Sequence, residues 1–163
     1  MNALRVGDKV PDIPLVTMTK SGPKALSRSE LFGGTKVVLF AVPGAFTPTC
    51  TAQHLPSFLA NNLKIKAMGV DTIACVAVND VFVMNAWGEA KDPDRVVLML
   101  ADGAGAWTKA AGLDWDLSSL GLGVRAQRFA MIVDGGTVSH IAVEEGAAFK
   151  VSSGEAILAA LAK

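Results

Sequence analysis

The sequence predicts an α/β fold in which a central mixed sheet is flanked by helices. Apolar, β-rich runs recur at 36–42, 71–78 and 95–101, and such runs are typical of strands buried on both faces. A helical pattern separates the first two runs, which indicates a right-handed parallel crossover. A hairpin pattern at 129–143 adds antiparallel strands to the parallel ones.

The N-terminal part of the chain is rich in proline. Pro11, Pro14 and Pro23 predict extended or turn structure from residue 4 to residue 25. A short helix is expected at 27–32, before the first buried run.

The run at 36–42 should be a central strand, closed by the Pro-Gly pair that follows it. A helix is then expected to begin near Pro48 and to run toward Met68. Pro56 should kink this helix, because proline has no N–H to give to the preceding turn. The strand at 71–78 is followed by Asn79-Asp80, which is a helix cap, and by a further helix.

The remaining elements complete the expected order. A third strand is predicted at 95–101, and Asp134-Gly135-Gly136 should join the two strands of the hairpin. Ser152, with Glu155 three residues later, has the pattern of a capping box before a terminal helix. A βαβ unit followed later by ββα is the thioredoxin-like arrangement with a lengthened middle.

Length and composition limit the classes of function. A chain of 163 residues with 51% hydrophobic residues predicts one domain, 1–163. Fifteen basic residues balance fifteen acidic ones, so nucleic acid and anionic membranes are not expected partners, and a small neutral substrate is favoured. Apolar runs stop well short of the ~18 residues of a spanning helix, and the N-terminus does not resemble a secretory signal. The cytoplasm is therefore the expected compartment.

The two cysteines, Cys50 and Cys75, are too few for a disulfide framework, and neither belongs to a Cys-x-x-Cys pair. Thr47 is a plausible N-cap and Pro48 fits the first helical position, which places Cys50 in the first turn of a helix. The positive end of the helix dipole favours a thiolate there, and a thiolate is a nucleophile. Placement alone leaves a second interpretation open, in which Cys50 is an inert buried thiol.

The segment Pro43-Gly-Ala-Phe-Thr47-Pro-Thr-Cys50 resembles the active-site loop of peroxiredoxins, whose signature is Pro-x-x-x-Thr-x-x-Cys. Together with His54-Leu-Pro56, it is similar to the type 5 branch, also called type II. The similarity extends from about Val6 to the C-terminus. Further matching segments are 78–83, Trp87, 100–103 and 128–130.

This resemblance implies a thioredoxin-like fold with peroxiredoxin-type insertions and a thiol-dependent peroxidase activity. Cys50 would attack hydrogen peroxide or a small organic hydroperoxide and become a sulfenic acid. Arg128 would hold the thiolate and stabilise the negative charge that develops on the peroxide. Thr47 would contact the peroxide and Pro43 would shield the site from water. Arg125 is a second candidate for the arginine, although the match at 128–130 favours Arg128.

The role of the second cysteine determines how the Cys50 sulfenic acid would be reduced. Cys75 lies in an apolar strand, where a thiol is usually inert, although a resolving role is the alternative. In the type 5 branch the intramolecular resolving cysteine lies near the C-terminus, where this chain has Ser152-Ser153. The resemblance therefore implies a one-cysteine cycle with no cofactor, resolved by an outside thiol. Glutathione with glutaredoxin is favoured, and thioredoxin is the alternative.

The two histidines and two of the aromatic residues each have their own expected role. His54 lies four residues after Cys50, so it either helps to ionise the thiol or serves the structure of the helix. His140 is expected in a hairpin strand as a surface or edge residue, and no spacing predicts a metal site. Trp87 and Phe46 are candidates for the contact of a homodimer, which this family typically forms.

Two other classes of function are compatible with a reactive Cys50. One is a peroxide sensor, redox-relay protein or chaperone that is oxidised without rapid turnover. The other is a hydrolase that uses Cys50 with His54, but no third group that would orient the base is evident.

Overall fold

The computed structural model describes residues 2–163, which form a mixed sheet with helices on both sides. The strands are β1 (Leu15–Thr19), β2 (Gly22–Leu26), β3 (Lys36–Ala41), β4 (Thr72–Ala77), β5 (Leu98–Ala101), β6 (Asp114–Asp116), β7 (Val124–Ala126), β8 (Phe129–Asp134) and β9 (Thr137–Val143). The α-helices are α1 (Arg28–Phe32), α2 (Leu55–Ala67), α3 (Val81–Lys91), α4 (Ala106–Ala110) and α5 (Gly154–Leu161). A π-helical turn, Cys50–His54, leads into α2, and Ser118–Leu120 is a 3₁₀ turn.

The main sheet has the strand order β2-β1-β5-β4-β3-β8-β9. β3 pairs with β4, and β4 with β5, in parallel, whereas β8 pairs antiparallel with both β3 and β9. The predicted mixed sheet, parallel crossover and C-terminal hairpin are thus confirmed. β6 and β7 form a separate two-stranded ribbon.

The buried runs supply both faces of the sheet, as continuous apolar strands should. On β3, Val38 and Phe40 belong to one core cluster and Val37 and Leu39 to the other. Helix α2 lies on the first of these faces, where Phe58 stacks on Phe40 with a centroid separation of 4.1 Å. This packing fixes the start of α2 against the end of β3.

Two predicted elements differ in the structure. The third strand begins at Leu98 rather than at 95, because Arg95 has a positive φ of 53°. The Asp92 carboxylate also accepts hydrogen bonds from the N–H groups of Val96 and Val97, which removes them from the ladder. The N-terminal segment contains the β1–β2 hairpin, whose turn uses the positive φ of Gly22.

The predicted capping box at Ser152 is wrong. The N-cap of α5 is Ser153, whose hydroxyl accepts a hydrogen bond from the N–H of Ala156. The Ser152 hydroxyl instead donates a hydrogen bond to the Glu144 carboxylate.

Among the helices of residues 2–163, none combines the length and apolar character that a membrane span requires.

Candidate active site

The candidate site lies where the chain leaves β3 and enters α2. The chain is helical from Pro48, but the turn at Cys50–His54 is a π turn, in which the N–H of Leu55 donates to the carbonyl of Cys50. The sequence predicted a kink at Pro56 inside one helix; in the structure the irregular π turn comes before α2, and Pro56 lies in the first turn of α2. Single π turns inside helices are frequent at functional sites. Here the turn contains two fully buried side chains, Cys50 and His54.

Arg128 connects these two side chains. It lies between β7 and β8, is 5% exposed, and donates from Nη2 to Cys50 Sγ at 3.1 Å. Its Nη1 donates to His54 Nδ1 at 2.9 Å. One planar guanidinium thus holds both the sulfur and the imidazole, which a point charge such as an ammonium group cannot do with the same geometry. Sulfur, arginine and imidazole form a buried cluster that joins residues far apart in the sequence.

The proton of His54 can be assigned from its neighbours. A guanidinium only donates, so Nδ1 of His54 must accept and Nε2 must carry the proton. Nε2 lies 2.8 Å from the Ser152 carbonyl oxygen, which accepts that proton's hydrogen bond. Burial, and then the charge of Arg128, lower the pKa of His54 from 6.5 to about 3. The ring is therefore neutral at neutral pH, and it orients Arg128 instead of acting as a base toward Cys50.

The loop before the helix contains the other two predicted site residues. The Thr47 hydroxyl donates to the Gly44 carbonyl oxygen at 2.6 Å, and within residues 2–163 no backbone N–H donates to this hydroxyl, so the N-cap contact that the sequence suggested is not made. The oxygen of Thr47 keeps its acceptor capacity. Pro43 is half-buried at the end of β3. The N–H of Ala45 donates to the Asn79 side chain, which ties this loop to the end of β4.

Glycine at position 44 permits the close packing of this loop. A Cβ there would lie 3.1 Å from Thr47 Cγ2 and 3.3 Å from Arg125 Nη1. Arg125 is therefore near the loop, but its Nη1 donates to the Val78 carbonyl and its Nε to the Leu122 carbonyl. Of the two candidate arginines, Arg128 is the one that hydrogen-bonds the sulfur of Cys50.

Cys75 occupies an interior position of β4, opposite Phe40 of β3. It is fully buried, and burial raises the pKa of its thiol well above the ordinary value, with a further contribution from nearby Cys50. Both cysteines are free thiols. A thiol fixed in the middle of a sheet has the environment of an inert core residue.

The remaining predicted residues lie apart from the reactive cluster. His140 is half-buried on β9. Within residues 2–163, no group of three or more His, Cys, Asp or Glu side chains is arranged to hold a metal ion. Phe46 is 53% exposed, whereas Trp87 is fully buried and donates its indole N–H to the Thr51 hydroxyl. A direct role for Trp87 in a dimer contact is therefore wrong, and its contact is with the π turn.

Sequence reasoning missed two groups near the site, the Ser152 carbonyl and the Glu144 carboxylate. The carbonyl receives the His54 proton, and the carboxylate holds the segment that carries this carbonyl. A backbone acceptor has no residue-type signature. A glutamate at the end of a strand is usually solvated, so its sequence position alone did not distinguish it.

Comparison with known proteins identifies the family. The Redoxin family model matches residues 5–158. Peroxiredoxin-2C of Oryza sativa subsp. japonica is 47% identical over 99% of this chain and 100% of its own length. Peroxiredoxin-2D of Arabidopsis thaliana is 43% identical over 99% of this chain and 100% of its own length.

Solved structures agree with this assignment. The crystal structure of reduced Prx3 from Vibrio vulnificus in complex with H2O2 is 51% identical, with a TM-score of 0.93, and the match covers 97% of this chain and 99% of that one. Peroxiredoxin 5 from Alvinella pompejana is 36% identical with a TM-score of 0.87, covering 98% of each chain. This chain therefore belongs to the redoxin family and, within it, to the type II peroxiredoxins, which are thiol peroxidases.

Proposed function

We propose that this protein reduces hydrogen peroxide and small organic hydroperoxides with Cys50 as the nucleophile, in a one-cysteine cycle that an external thiol completes. The observation that carries the proposal is the 3.1 Å hydrogen bond from Arg128 to the buried Cys50 sulfur. A charged donor facing a sulfur favours the anionic, nucleophilic form of that sulfur.

In the first step, the Cys50 thiolate attacks one oxygen of the peroxide. A sulfur–oxygen bond forms while the O–O bond breaks, so sulfur loses two electrons and the peroxide gains them. The second oxygen leaves as hydroxide or alkoxide and takes up, through solvent, the proton that the Cys50 thiol released when it ionised, so water or an alcohol forms and Cys50 becomes a sulfenic acid. Arg128 donates to the oxygen on which negative charge develops, and Thr47 offers its free acceptor capacity to the peroxide proton. Pro43 limits the entry of water.

Hydrogen peroxide is the first substrate we propose. Prx3 of Vibrio vulnificus, which this chain resembles, has been crystallised in complex with H2O2. The balanced charge of this chain and the complete burial of Cys50 also favour a small neutral substrate. A bulky peroxide would have to displace the side chains that cover the sulfur.

We propose that an external thiol, rather than Cys75, resolves the sulfenic acid. The external thiol forms a mixed disulfide with Cys50 and releases water, and a second thiol then regenerates the Cys50 thiol. Cys75 is held in β4, and movement toward Cys50 would break the ladder to β3. Glutathione with glutaredoxin is the favoured donor, and thioredoxin is the alternative.

We also propose a homodimer, with Phe46 as one of its contact residues. Phe46 is 53% exposed in the loop of the site and has a positive φ of 64°, so the backbone holds an apolar ring toward solvent. Sedimentation of the wild type and a Phe46→Ser variant tests this contact. We also propose the cytoplasm as the compartment, because two cysteines are too few for the disulfide framework of a secreted domain.

The test compares Cys50→Ser with the matched control Cys75→Ser. Rapid mixing with hydrogen peroxide should show fast sulfenic acid formation in the wild type and in Cys75→Ser, and none in Cys50→Ser. A Cys50→Ser variant with full thiol-dependent peroxidase activity would contradict the proposal. A Cys50 reaction no faster than that of free cysteine would instead favour the peroxide sensor or relay protein. Turnover with glutathione and glutaredoxin, compared with thioredoxin, identifies the donor.

A further inference from the structure

A buried carboxylate lies behind the reactive cluster. Glu144 directly follows β9 and is only 5% exposed. Its partners are hydrogen-bond donors of one short segment: the N–H groups of Lys150, Val151 and Ser152 at 2.8–2.9 Å, and the Ser152 hydroxyl at 2.6 Å. A buried charge is tolerated when its hydrogen bonds are satisfied in this way.

The charge of this carboxylate is maintained by those donors. Burial raises the pKa of Glu144, but the hydrogen bonds from the Ser152 hydroxyl and from the three N–H groups together hold it below its ordinary value. An ionised carboxylate only accepts, so all four donors can point to it at once. The segment 150–152 is therefore folded around the Glu144 side chain.

That segment carries the carbonyl that fixes His54. The Ser152 carbonyl oxygen lies 2.8 Å from His54 Nε2, and this contact leaves Nδ1 as the acceptor for Arg128. Arg128 in turn donates to Cys50 Sγ. Four consecutive hydrogen-bonded contacts thus lead from the Glu144 side chain to the sulfur.

Glu144 also contacts the backbone of Arg128 directly. Its backbone N–H donates to the Arg128 carbonyl oxygen at 2.9 Å. One residue therefore holds the backbone of Arg128 directly and the side chain of Arg128 through Ser152 and His54. This backbone contact continues the β8–β9 pairing and does not depend on the side chain; it places the residue that carries the carboxylate directly beside Arg128.

We propose that Glu144 is a positioning residue for the peroxidase reaction, acting through the Ser152 carbonyl and His54 to aim the Arg128 guanidinium at Cys50. This inference rests on the proposed role of Cys50. Glu144 touches neither the peroxide nor the sulfur, and its contribution is the orientation of the donor that stabilises the developing charge. Positioning groups of this kind are the outer partners of a functional histidine.

The test replaces Glu144 by glutamine and uses Glu145→Gln, an exposed neighbour, as the matched control. The glutamine amide places a donor where the segment presents only donors, so the Ser152 carbonyl loses its fixed position. Each protein is treated with hydrogen peroxide and, separately, with iodoacetamide. Both reagents need a thiolate, but only peroxide needs Arg128 at the breaking O–O bond.

We expect Glu144→Gln to lower the ratio of the peroxide rate constant to the alkylation rate constant by about tenfold, and Glu145→Gln to leave it unchanged. A purely structural role would slow or speed both reactions together. An unchanged ratio in a folded Glu144→Gln protein would therefore overturn the inference.

A second measurement needs no variant and covers the case in which Glu144→Gln fails to fold. In the wild type, nitrogen-15 NMR should show His54 as the neutral Nε2–H tautomer. An Nδ1–H tautomer or a charged ring at neutral pH would overturn the inference. If instead Cys50→Ser keeps its activity, the proposed function fails, and that result is independent of both measurements.

Discussion

Acidification should destabilise this protein through His54. The pKa of His54 is about 3 in the folded protein and 6.5 as the ordinary value, because burial and then Arg128 disfavour the charged ring. Between these values the unfolded chain binds a proton that the folded protein does not. Stability is therefore complete above pH 6.5 and falls with decreasing pH until about pH 3.

The magnitude follows from this one proton. Each pH unit inside the window costs about 1.4 kcal/mol, so going from about pH 7 to about pH 4.5 should remove about 2.5 kcal/mol of the free energy of unfolding. Glu144 has a lowered pKa, so its contribution is lost only as the pH falls below its ordinary value of 4.5. Measurements above about pH 4.5 thus report the histidines and avoid this carboxylate.

Urea unfolding at several pH values in this range tests the reasoning. His54→Asn keeps an acceptor near the position of Nδ1 but cannot be protonated. The slope of its free energy of unfolding against pH should therefore be smaller than that of the wild type by the contribution of about one proton. His140→Gln is the control for a half-buried histidine whose pKa is also lowered. Slopes are compared rather than absolute stabilities, because the smaller asparagine leaves a cavity. Parallel slopes for the wild type and His54→Asn would refute the assignment of a neutral buried ring.

Two further substitutions test other contacts. Arg128→Lys keeps the charge but loses the two-pronged guanidinium that donates to both the sulfur and the imidazole. The rate constant for the reaction with peroxide should fall by about a hundredfold, as for the loss of one charge-stabilising donor. Arg125→Lys is its control, and equal rates for both variants in stopped-flow experiments would contradict the geometry. Gly154→Ala should lower the free energy of unfolding by about 1–3 kcal/mol, because the new Cβ would overlap the Ser57 carbonyl. This steric cost should exceed the gain from the higher helix propensity of alanine. Gly103→Ala, whose Cβ would meet only ordinary contacts beyond 3.7 Å, is the control, and similar denaturation midpoints would refute this steric argument.

The fold was predictable where burial alone determines structure. β3 and β4 are apolar on both faces, and the Gly-Gly turn of the β8–β9 hairpin permits little else. The short ribbon of β6 and β7 was not predictable, because three-residue strands in which charged and apolar side chains alternate depend on their pairing partner.

The candidate site was also predictable only in part. The signature residues Pro43, Thr47 and Cys50 are close in sequence, and the match at 128–130 selected the arginine whose guanidinium contacts Cys50. The role of Ser152 could not be found, because two adjacent serines both fit a helix cap and only the carboxylate of Glu144 selects which one caps. That selection is made by a contact across the fold, which local propensity does not record.

The burial of Cys50 limits how an external thiol could complete the proposed cycle. Hydrogen peroxide has only two heavy atoms, whereas a resolving thiol belongs to a larger molecule. That thiol must form a disulfide of defined geometry with the Cys50 sulfur, which has no exposed surface. The π turn that carries Cys50 must therefore open before resolution. The turn is held by the Trp87 indole on Thr51 and by Arg128 on Cys50, and oxidation of the sulfur alters the second of these contacts. We thus expect the hydrogen bond that we propose to promote attack on the peroxide to resist the opening that resolution requires. In the proposed cycle, the external thiol should then act on a locally opened sulfenic acid form.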